Sequence, residues 1–253
     1  LKYYDKALET SIDIELTGDV SLAIADIHYI RGEVDRSLAL LDNTEKILLE
    51  DPGEHDVLSI RFECFRAWVY CVMGKNELAM TKALKAVDLA ADLHDLDETV
   101  SDRQRGFSFN TIATVHWANG DYSEAREFYL RALKIALKHN MKREIAVTYG
   151  NIGLVSNKLG AFTEAIESLN KQLTISKEIG DKLIIMSSYG ELSKVCSSTG
   201  LIARALENAE KYRHQAEELP AVHDMLLAYN QLGGLYLAMD RSDKARELCE
   251  TAL

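Results

Sequence analysis

Residues 113–125 read ATVHWANGDYSEA, residues 153–165 read GLVSNKLGAFTEA and residues 193–205 read SKVCSSTGLIARA, so one pattern recurs every 40 residues. Each copy opens with a small residue, places a glycine seven residues later and ends on an alanine five residues after that glycine. A long, fixed period is typical of repeat arrays, in which each unit buries its apolar face by stacking on its neighbours.

The same pattern extends outward from this segment when the glycine is used as a marker. Six positions carry the marker or its equivalent: Gly32, Gly74, Gly120, Gly160, Gly200 and Asp240. Apolar residues recur at three- and four-residue intervals on both sides of each marker, which indicates amphipathic helices. Small residues seven before and five after the marker allow two helices to approach within ~8 to 10 Å. The sequence therefore predicts an all-α fold built from helix hairpins.

In this register residues 1–253 form a single array, which is divided into seven parts. The predicted parts are the second helix of a truncated repeat at 1–17 and six repeats at 18–53, 54–95, 96–140, 141–180, 181–220 and 221–253. Gly18-Asp19 and Gly180-Asp181 are predicted to be turns between repeats, since each joins a glycine to a capping side chain. Because the chain begins and stops within helical patterns, we expect it to be a piece of a longer protein.

Composition excludes several functional classes. Forty acidic residues against 29 basic ones give a formal charge of −11, which disfavours nucleic acid and anionic membranes as partners. The four cysteines lack metal-type spacing and are expected to be reduced, as in a cytoplasmic protein. The sequence contains no phosphate-binding loop, nucleophile elbow or His-Glu-x-x-His motif, so we expect neither an enzyme nor a bound cofactor or metal.

The small, glycine and alanine positions, completed by Tyr129 and Ala132 in the second helix, resemble the tetratricopeptide repeat over essentially the whole chain. The run KQLTISKEIGDK at 171–182 is similar to a 40-residue subclass that includes Leu-Gly-Asn-rich regulators and bacterial signalling arrays. This resemblance implies a right-handed superhelical solenoid of antiparallel helix hairpins. It also implies that the first helices of successive repeats line a concave groove that receives a peptide or protein segment.

In this family the groove-facing places fall thirteen, ten, nine, six, three and two residues before each marker. Counting in this way selects Asn110, Thr111, Thr114, Trp117, Asn151, Asn157, Lys158, Glu191, Lys194, Asn230 and Gln231. Amides and short polar side chains at these places can hydrogen-bond an extended backbone. The alternative is that they form the solvated faces of amphipathic helices.

The same count places both tryptophans, Trp68 and Trp117, toward the groove in neighbouring repeats. With Phe65, Phe107 and Arg61 they would form an aromatic patch with a cationic neighbour. Aromatic residues and arginine dominate binding hot spots, so this patch is the predicted centre of affinity.

An alternative for the second repeat is that its first helix has slipped in register and buries Trp68. Glu63 and Arg66 occupy places that are usually apolar, and residues 67–73 are apolar on every face. Both interpretations of Trp68 remain open at the level of sequence.

Two functions are consistent with this pattern. The first is a protein- or peptide-binding scaffold that uses the concave face of the array. The second is a regulatory or sensor segment of a larger signalling protein, such as a cyclase, kinase or transcription regulator, that binds a peptide or small ligand. Apolar flanks at residues 1–8 and 248–253 suggest end-to-end self-association as a further property.

Overall fold

The structure is a computed structural model that describes residues 14–50, 56–93, 97–219 and 222–251. Within these ranges the chain forms twelve α-helices and no strand, so the predicted all-α fold is confirmed. The helices are α1 (Ile14–Ile30), α2 (Val34–Glu50), α3 (Asp56–Val72), α4 (Asn76–Ala91), α5 (Glu98–Asn119), α6 (Tyr122–Lys138), α7 (Lys142–Lys158), α8 (Phe162–Ile179), α9 (Lys182–Ser198), α10 (Ile202–Glu218), α11 (Val222–Ala238) and α12 (Ser242–Thr251).

The helices belong to two compact units, Leu1–Ile135 and Ala136–Leu253, whose boundary lies within α6. In the first unit α1 packs against α2, α3 against α4, and α3 also against α5. In the second unit α7 packs against α8, α8 against α9, and the series continues through α12. Each unit is therefore a stack of helix hairpins. No helix among the described residues is both long enough and apolar enough to cross a membrane.

Each first helix ends in a left-handed residue, as the marker predicts. The five marker glycines have φ between 70° and 85°, and Asp240 has φ 58° in the sixth place. The next residue then donates its N–H to a carbonyl five residues earlier, for example Asp121 to His116 at 2.9 Å. Glycine is favoured here because a side chain is strained at positive φ. This turn reverses the chain and brings the second helix back along the first.

The small residues on either side of the marker lie against each other where the hairpin is tightest. The Ser37 hydroxyl donates to the Ala25 carbonyl at 2.7 Å, which joins the two small positions of the first hairpin directly. In α7 a Cβ on Gly153 would lie 2.7 Å from Cγ of Leu169, so a larger residue does not fit. At Gly233 the same Cβ would meet nothing within 4 Å, and close packing does not explain that glycine.

The predicted turn at Gly18-Asp19 is wrong, because both residues lie inside α1. A Cβ on Gly18 would come within 2.6 Å of the Leu58 side chain, so this glycine permits close packing of α1 on α3. The first helix of that hairpin therefore includes residues before position 18. The helix predicted over the first residues of the chain, and most of the apolar flanks, fall outside the described residues.

Replacing Ala205 with leucine is expected to destabilise the second unit by about 1 to 3 kcal/mol. Ala205 lies on α10 and is fully buried in a cluster with residues of α9 and α11. The matched control is Ala203→Leu on the same helix, where the side chain is exposed. Urea denaturation monitored by circular dichroism measures both. If Ala205→Leu unfolded at the same urea concentration as Ala203→Leu, the close contact at this position would be disproved.

Candidate functional site

A pocket of about 550 Å³ opens on the first unit where α1, α3 and α5 each present one face to it. We call it the Trp68 pocket. Its lining residues are Asp19, Leu22, Ala23 and Asp26 of α1, Arg61, Cys64, Phe65, Trp68 and Cys71 of α3, and Phe107, Asn110, Thr111, Thr114 and Val115 of α5. The volume lies within the ~300 to 1,000 Å³ range of ligand-binding pockets.

The helical period places these residues on one wall. In each of the three helices, the residues thirteen, ten, nine and six places before the marker glycine line the pocket. Residues at such spacing share one face of an α-helix. Residues of α3 that flank this face, such as Ile60 and Phe62, are fully buried in the core. The same helix thus holds the hairpins together and lines the pocket.

Aromatic side chains form much of the α3 and α5 walls. The Trp68 ring packs 4.3 Å from the Tyr29 ring and 5.7 Å from the Phe65 ring, measured between centroids, and it is half-buried. Phe107 is 47% exposed although it is a large apolar residue. Partly exposed, mutually supported rings of this kind provide contact area at a low cost in conformational entropy.

Both threonines of the pocket donate their hydroxyl protons to backbone carbonyls of their own helix. Thr111 donates to the Phe107 carbonyl at 3.0 Å, and Thr114 donates to the Asn110 carbonyl at 2.9 Å. The lone pairs that remain on these oxygens can accept hydrogen bonds from a ligand, and the Thr114 oxygen also lies 3.2 Å from the Tyr129 hydroxyl oxygen. The prediction that these side chains can hydrogen-bond a peptide backbone is thereby specified: the threonines would accept from a backbone N–H.

The charged groups of the pocket are unevenly matched. Arg61 forms an ion pair with Asp19, so the charges of these two side chains compensate each other. Among the residues that the structure describes, the exposed Asp26 carboxylate has no hydrogen-bond or ion-pair partner. Burial raises the pKa of the Cys64 thiol to about 11, so that thiol is neutral at physiological pH. The pocket consequently carries one uncompensated negative charge.

Behind the pocket, the two charged residues at apolar places of α3 are buried and paired. Glu63 is 0% and Arg66 3% exposed. Arg66 Nη1 donates to Glu63 Oε1 at 3.1 Å, and Arg66 Nη2 donates to Asp42 Oδ1 at 2.8 Å. Lys85 Nζ also donates to Glu63 Oε1, at 2.8 Å. These ion pairs join α3 to α2 and α4.

The buried pairs explain why the register of α3 does not slip. Glu63 and Arg66 stay at core positions because ion-pair partners from neighbouring helices satisfy their charges. Burial alone would raise the pKa of Glu63, but the hydrogen bond from Lys85 and the charges of Lys82 and Arg66 outweigh it and lower that pKa. Trp68 therefore remains on the pocket face of the helix.

Seven of the fifteen predicted site residues line this one pocket: Arg61, Phe65, Trp68, Phe107, Asn110, Thr111 and Thr114. Trp117 is not among its lining residues, so this pocket contains one of the two tryptophans. Its ring packs 5.2 Å from the Tyr122 ring at the start of α6. Trp117, which stands three residues before the marker Gly120, thus packs against the start of the second helix of its hairpin.

The other seven predicted residues belong to the second unit: Asn151, Asn157 and Lys158 of α7, Glu191 and Lys194 of α9, and Asn230 and Gln231 of α11. Lys194 Nζ lies 2.6 Å from Glu191 Oε1, so these two charges compensate each other. A second pocket of about 420 Å³ in this unit is lined by different residues, including Tyr149 and Lys171. The predicted residues of this unit are not gathered in that pocket.

Sequence reasoning missed the other seven lining residues, which include four of α1: Asp19, Leu22, Ala23 and Asp26. The signal was available, because counting thirteen, ten, nine and six places back from Gly32 selects these four residues. The predicted turn at Gly18-Asp19 explains only the loss of Asp19, since Leu22, Ala23 and Asp26 follow that turn in the predicted first helix. Both carboxylates of the pocket, Asp19 and Asp26, are among the four residues that were missed.

The hairpins, their left-handed turns and a pocket lined by successive first helices define an α-helical repeat protein. Models of the tetratricopeptide repeat match residues 108–140, 146–179 and 226–253. The chain therefore contains tetratricopeptide repeats. No curated protein sequence matches it significantly.

Solved structures share this fold at low sequence identity. BtubC (BKLC) from P. vanneervenii has a TM-score of 0.66 and 17% identity, and the match covers 98% of this chain and 89% of that one. A STAND protein with a tetratricopeptide repeat sensor from Pyrococcus horikoshii has a TM-score of 0.75 and 18% identity, covering 99% and 37%. The Rap conjugation gene regulator of plasmid pLS20, in complex with the Phr* peptide, has a TM-score of 0.71 and 15% identity, covering 94% and 64%.

Proposed function

We propose that this protein is a peptide-binding scaffold and that the Trp68 pocket receives a segment of a partner protein. The observation that carries this proposal is the convergence of three first helices on one pocket with aromatic walls. Tryptophan and arginine are enriched among hot-spot residues, and hot spots lie in well-packed pockets. The Rap regulator of pLS20, which shares the fold, is described with a bound peptide, and that similarity supports the choice of ligand class.

The pocket of the second unit is a weaker candidate because its polar groups are already engaged. Lys142 Nζ donates to Glu178 Oε2 at 3.2 Å, and Lys171 Nζ lies 5.1 Å from the centre of the Tyr149 ring. A ligand there would have to displace these contacts. The Trp68 pocket retains exposed aromatic surface and the Asp26 carboxylate, which has no partner in the described part of the chain, so it can form contacts without breaking existing ones.

Selection of random dodecapeptides displayed on phage tests this proposal. Peptides enriched on the wild-type protein are synthesised, and their Kd values are measured by fluorescence anisotropy. Trp68→Ala is expected to weaken binding by about 30-fold, which corresponds to a hot-spot loss of about 2 kcal/mol. Circular dichroism of the variant should match that of the wild type, since Trp68 is only half-buried.

Trp117→Ala is the matched control, because it removes the other tryptophan from outside the pocket. Its Kd should stay within about threefold of the wild-type value. Equal losses in both variants would show that the pocket is not the binding site. Failure of the wild-type protein to enrich any peptide would overturn the function itself.

A second candidate function is a sensor segment within a larger signalling protein. The STAND protein favours it, because this chain matches 37% of that longer chain, which is described as carrying a repeat sensor. Both functions include ligand binding and differ in what binding controls. A catalytic or DNA-binding domain encoded beside this chain, with an activity that changes when a selected peptide is added, would favour the sensor.

A further inference from the structure

We propose that the segment bound in the Trp68 pocket carries a basic side chain, an arginine or a lysine, which Asp26 recognises beside the Trp68 ring. This inference rests on the proposed function and specifies the chemistry of the peptide. It follows from the charge balance of the pocket and from the aromatic groups next to it.

The charge balance favours a cation. Three charged residues line the pocket, and the pairing of Arg61 with Asp19 leaves Asp26 as the group whose charge is not compensated within the described residues. A peptide carboxylate placed here would meet Asp26 while the one pocket arginine is already occupied. A peptide cation would gain an attractive partner without displacing an internal ion pair.

The aromatic groups favour the same ligand. Asp26 and Trp68 both stand six residues before the marker of their own hairpins, and both line the pocket. A guanidinium or ammonium group close to an aromatic face is attracted by the ring, most strongly by tryptophan. The protein uses this contact elsewhere, since the Arg131 guanidinium lies 4.8 Å from the Phe128 ring centre and Lys177 Nζ lies 5.4 Å from the Tyr189 ring centre.

The aliphatic part of the ligand also has a place in this pocket. Leu22 and Ala23 of α1 stand one turn before Asp26, and Phe65 stands one turn before Trp68. The methylene stem of lysine or arginine can pack on such apolar surface while its charged end stays near water. An acidic chain with net charge −11 would in addition attract basic peptides over a distance, and added salt weakens that attraction.

The test uses the peptides selected on the wild-type protein and one protein variant, Asp26→Asn. Selected peptides are expected to contain lysine or arginine at a recurrent position. Replacing that basic residue with alanine should weaken binding to the wild-type protein about tenfold and binding to Asp26→Asn by less than about twofold. A difference of this size between the two losses measures the contact between Asp26 and the peptide cation.

The matched control is Asp88→Asn, which removes an exposed aspartate of α4 that does not line the pocket. It should show the full tenfold loss when the peptide's basic residue is removed. A second variant, Asp26→Lys, should select acidic peptides in a new round of display. Asp26 is exposed, so circular dichroism of both Asp26 variants should match the wild type.

The possible failures are distinguishable. If peptides bind at the Trp68 pocket without basic residues, or if the peptide substitution costs the same in the wild type and in Asp26→Asn, the inferred cation site is overturned while the peptide-binding function stands. If the wild-type protein selects no peptide, the proposed function and this inference fall together.

Discussion

Replacing Glu63 with glutamine is expected to lower the free energy of unfolding by about 3 kcal/mol. Glu63 is fully buried and its Oε1 accepts hydrogen bonds from Arg66 at 3.1 Å and from Lys85 at 2.8 Å. A glutamine removes the negative charge while Arg66 stays 3% exposed. This loss of stability lies at the lower end of the range for broken buried ion pairs, because Arg66 keeps Asp42 and Glu45 as partners.

Asp42→Asn is the matched control, since it removes another partner of Arg66 whose side chain is 62% exposed. Solvent screens that pair, and the expected loss is below about 1 kcal/mol. The double variant Glu63→Met with Arg66→Met should regain most of the stability, because it removes both buried charges together. Urea denaturation measures all of them. Equal losses for Glu63→Gln and Asp42→Asn would contradict the central role of Glu63.

The Glu63 contribution should also depend on pH. Since the pKa of Glu63 in the folded protein is lowered from its usual value of 4.5, its ionised form stabilises the fold above pH 4.5. That stabilisation is lost as the pH falls through the lowered pKa. The stability difference between the wild type and Glu63→Gln should therefore be largest near neutral pH and shrink in acid. A difference that grew in acid would contradict the sign of the shift.

Phe62→Ala is expected to be the other large effect, with a loss of about 3 to 5 kcal/mol. Phe62 is completely buried and packs in one cluster with Ala25 of α1, Leu41 of α2 and Leu58 of α3. Removing its ring leaves a cavity where three helices of the first unit meet. Thermal and urea unfolding should both show the loss.

Phe65→Ala is the informative comparison, because the same substitution is made one turn later on the same helix. Phe65 is partly buried and lines the Trp68 pocket, so its loss should cost only about 1 to 2 kcal/mol of stability. Phe65→Ala should also weaken binding of the selected peptides, whereas any Phe62→Ala protein that folds should bind them with the wild-type Kd. The reverse pattern would mean that the core role of Phe62 and the pocket role of Phe65 have been assigned the wrong way round.

Much of the pocket was predictable from sequence because its residues obey the repeat. The count back from each marker selected seven residues that meet in the Trp68 pocket. The start of α1 was interpreted wrongly because Gly18 resembles a turn glycine, whereas in the structure it makes room for the Leu58 side chain. A glycine that ends a helix and a glycine that lets two helices touch look the same in one sequence. Only the neighbouring helix distinguishes them.

The pairing of Glu63 could not be predicted in the same way. Its partner Lys85 lies 22 residues along the chain, in another helix, and Asp42 stands 24 residues before Arg66. Periodicity marked Glu63 and Arg66 as exceptions at apolar places but could not say whether the helix had rotated or the charges were paired. Side chains from α2 and α4 settle the question by neutralising both.

The order of residues along this chain was sufficient to specify the hairpins, because helix periodicity, left-handed turns and small residues at the crossing points are local requirements. The chemistry of the pocket depended on three helices far apart in sequence. Contacts between those helices paired Arg61 with Asp19, left Asp26 without a partner among the described residues and kept Trp68 on the pocket face. Those contacts arise only when the hairpins stack, since charge compensation and burial are properties of neighbours in space.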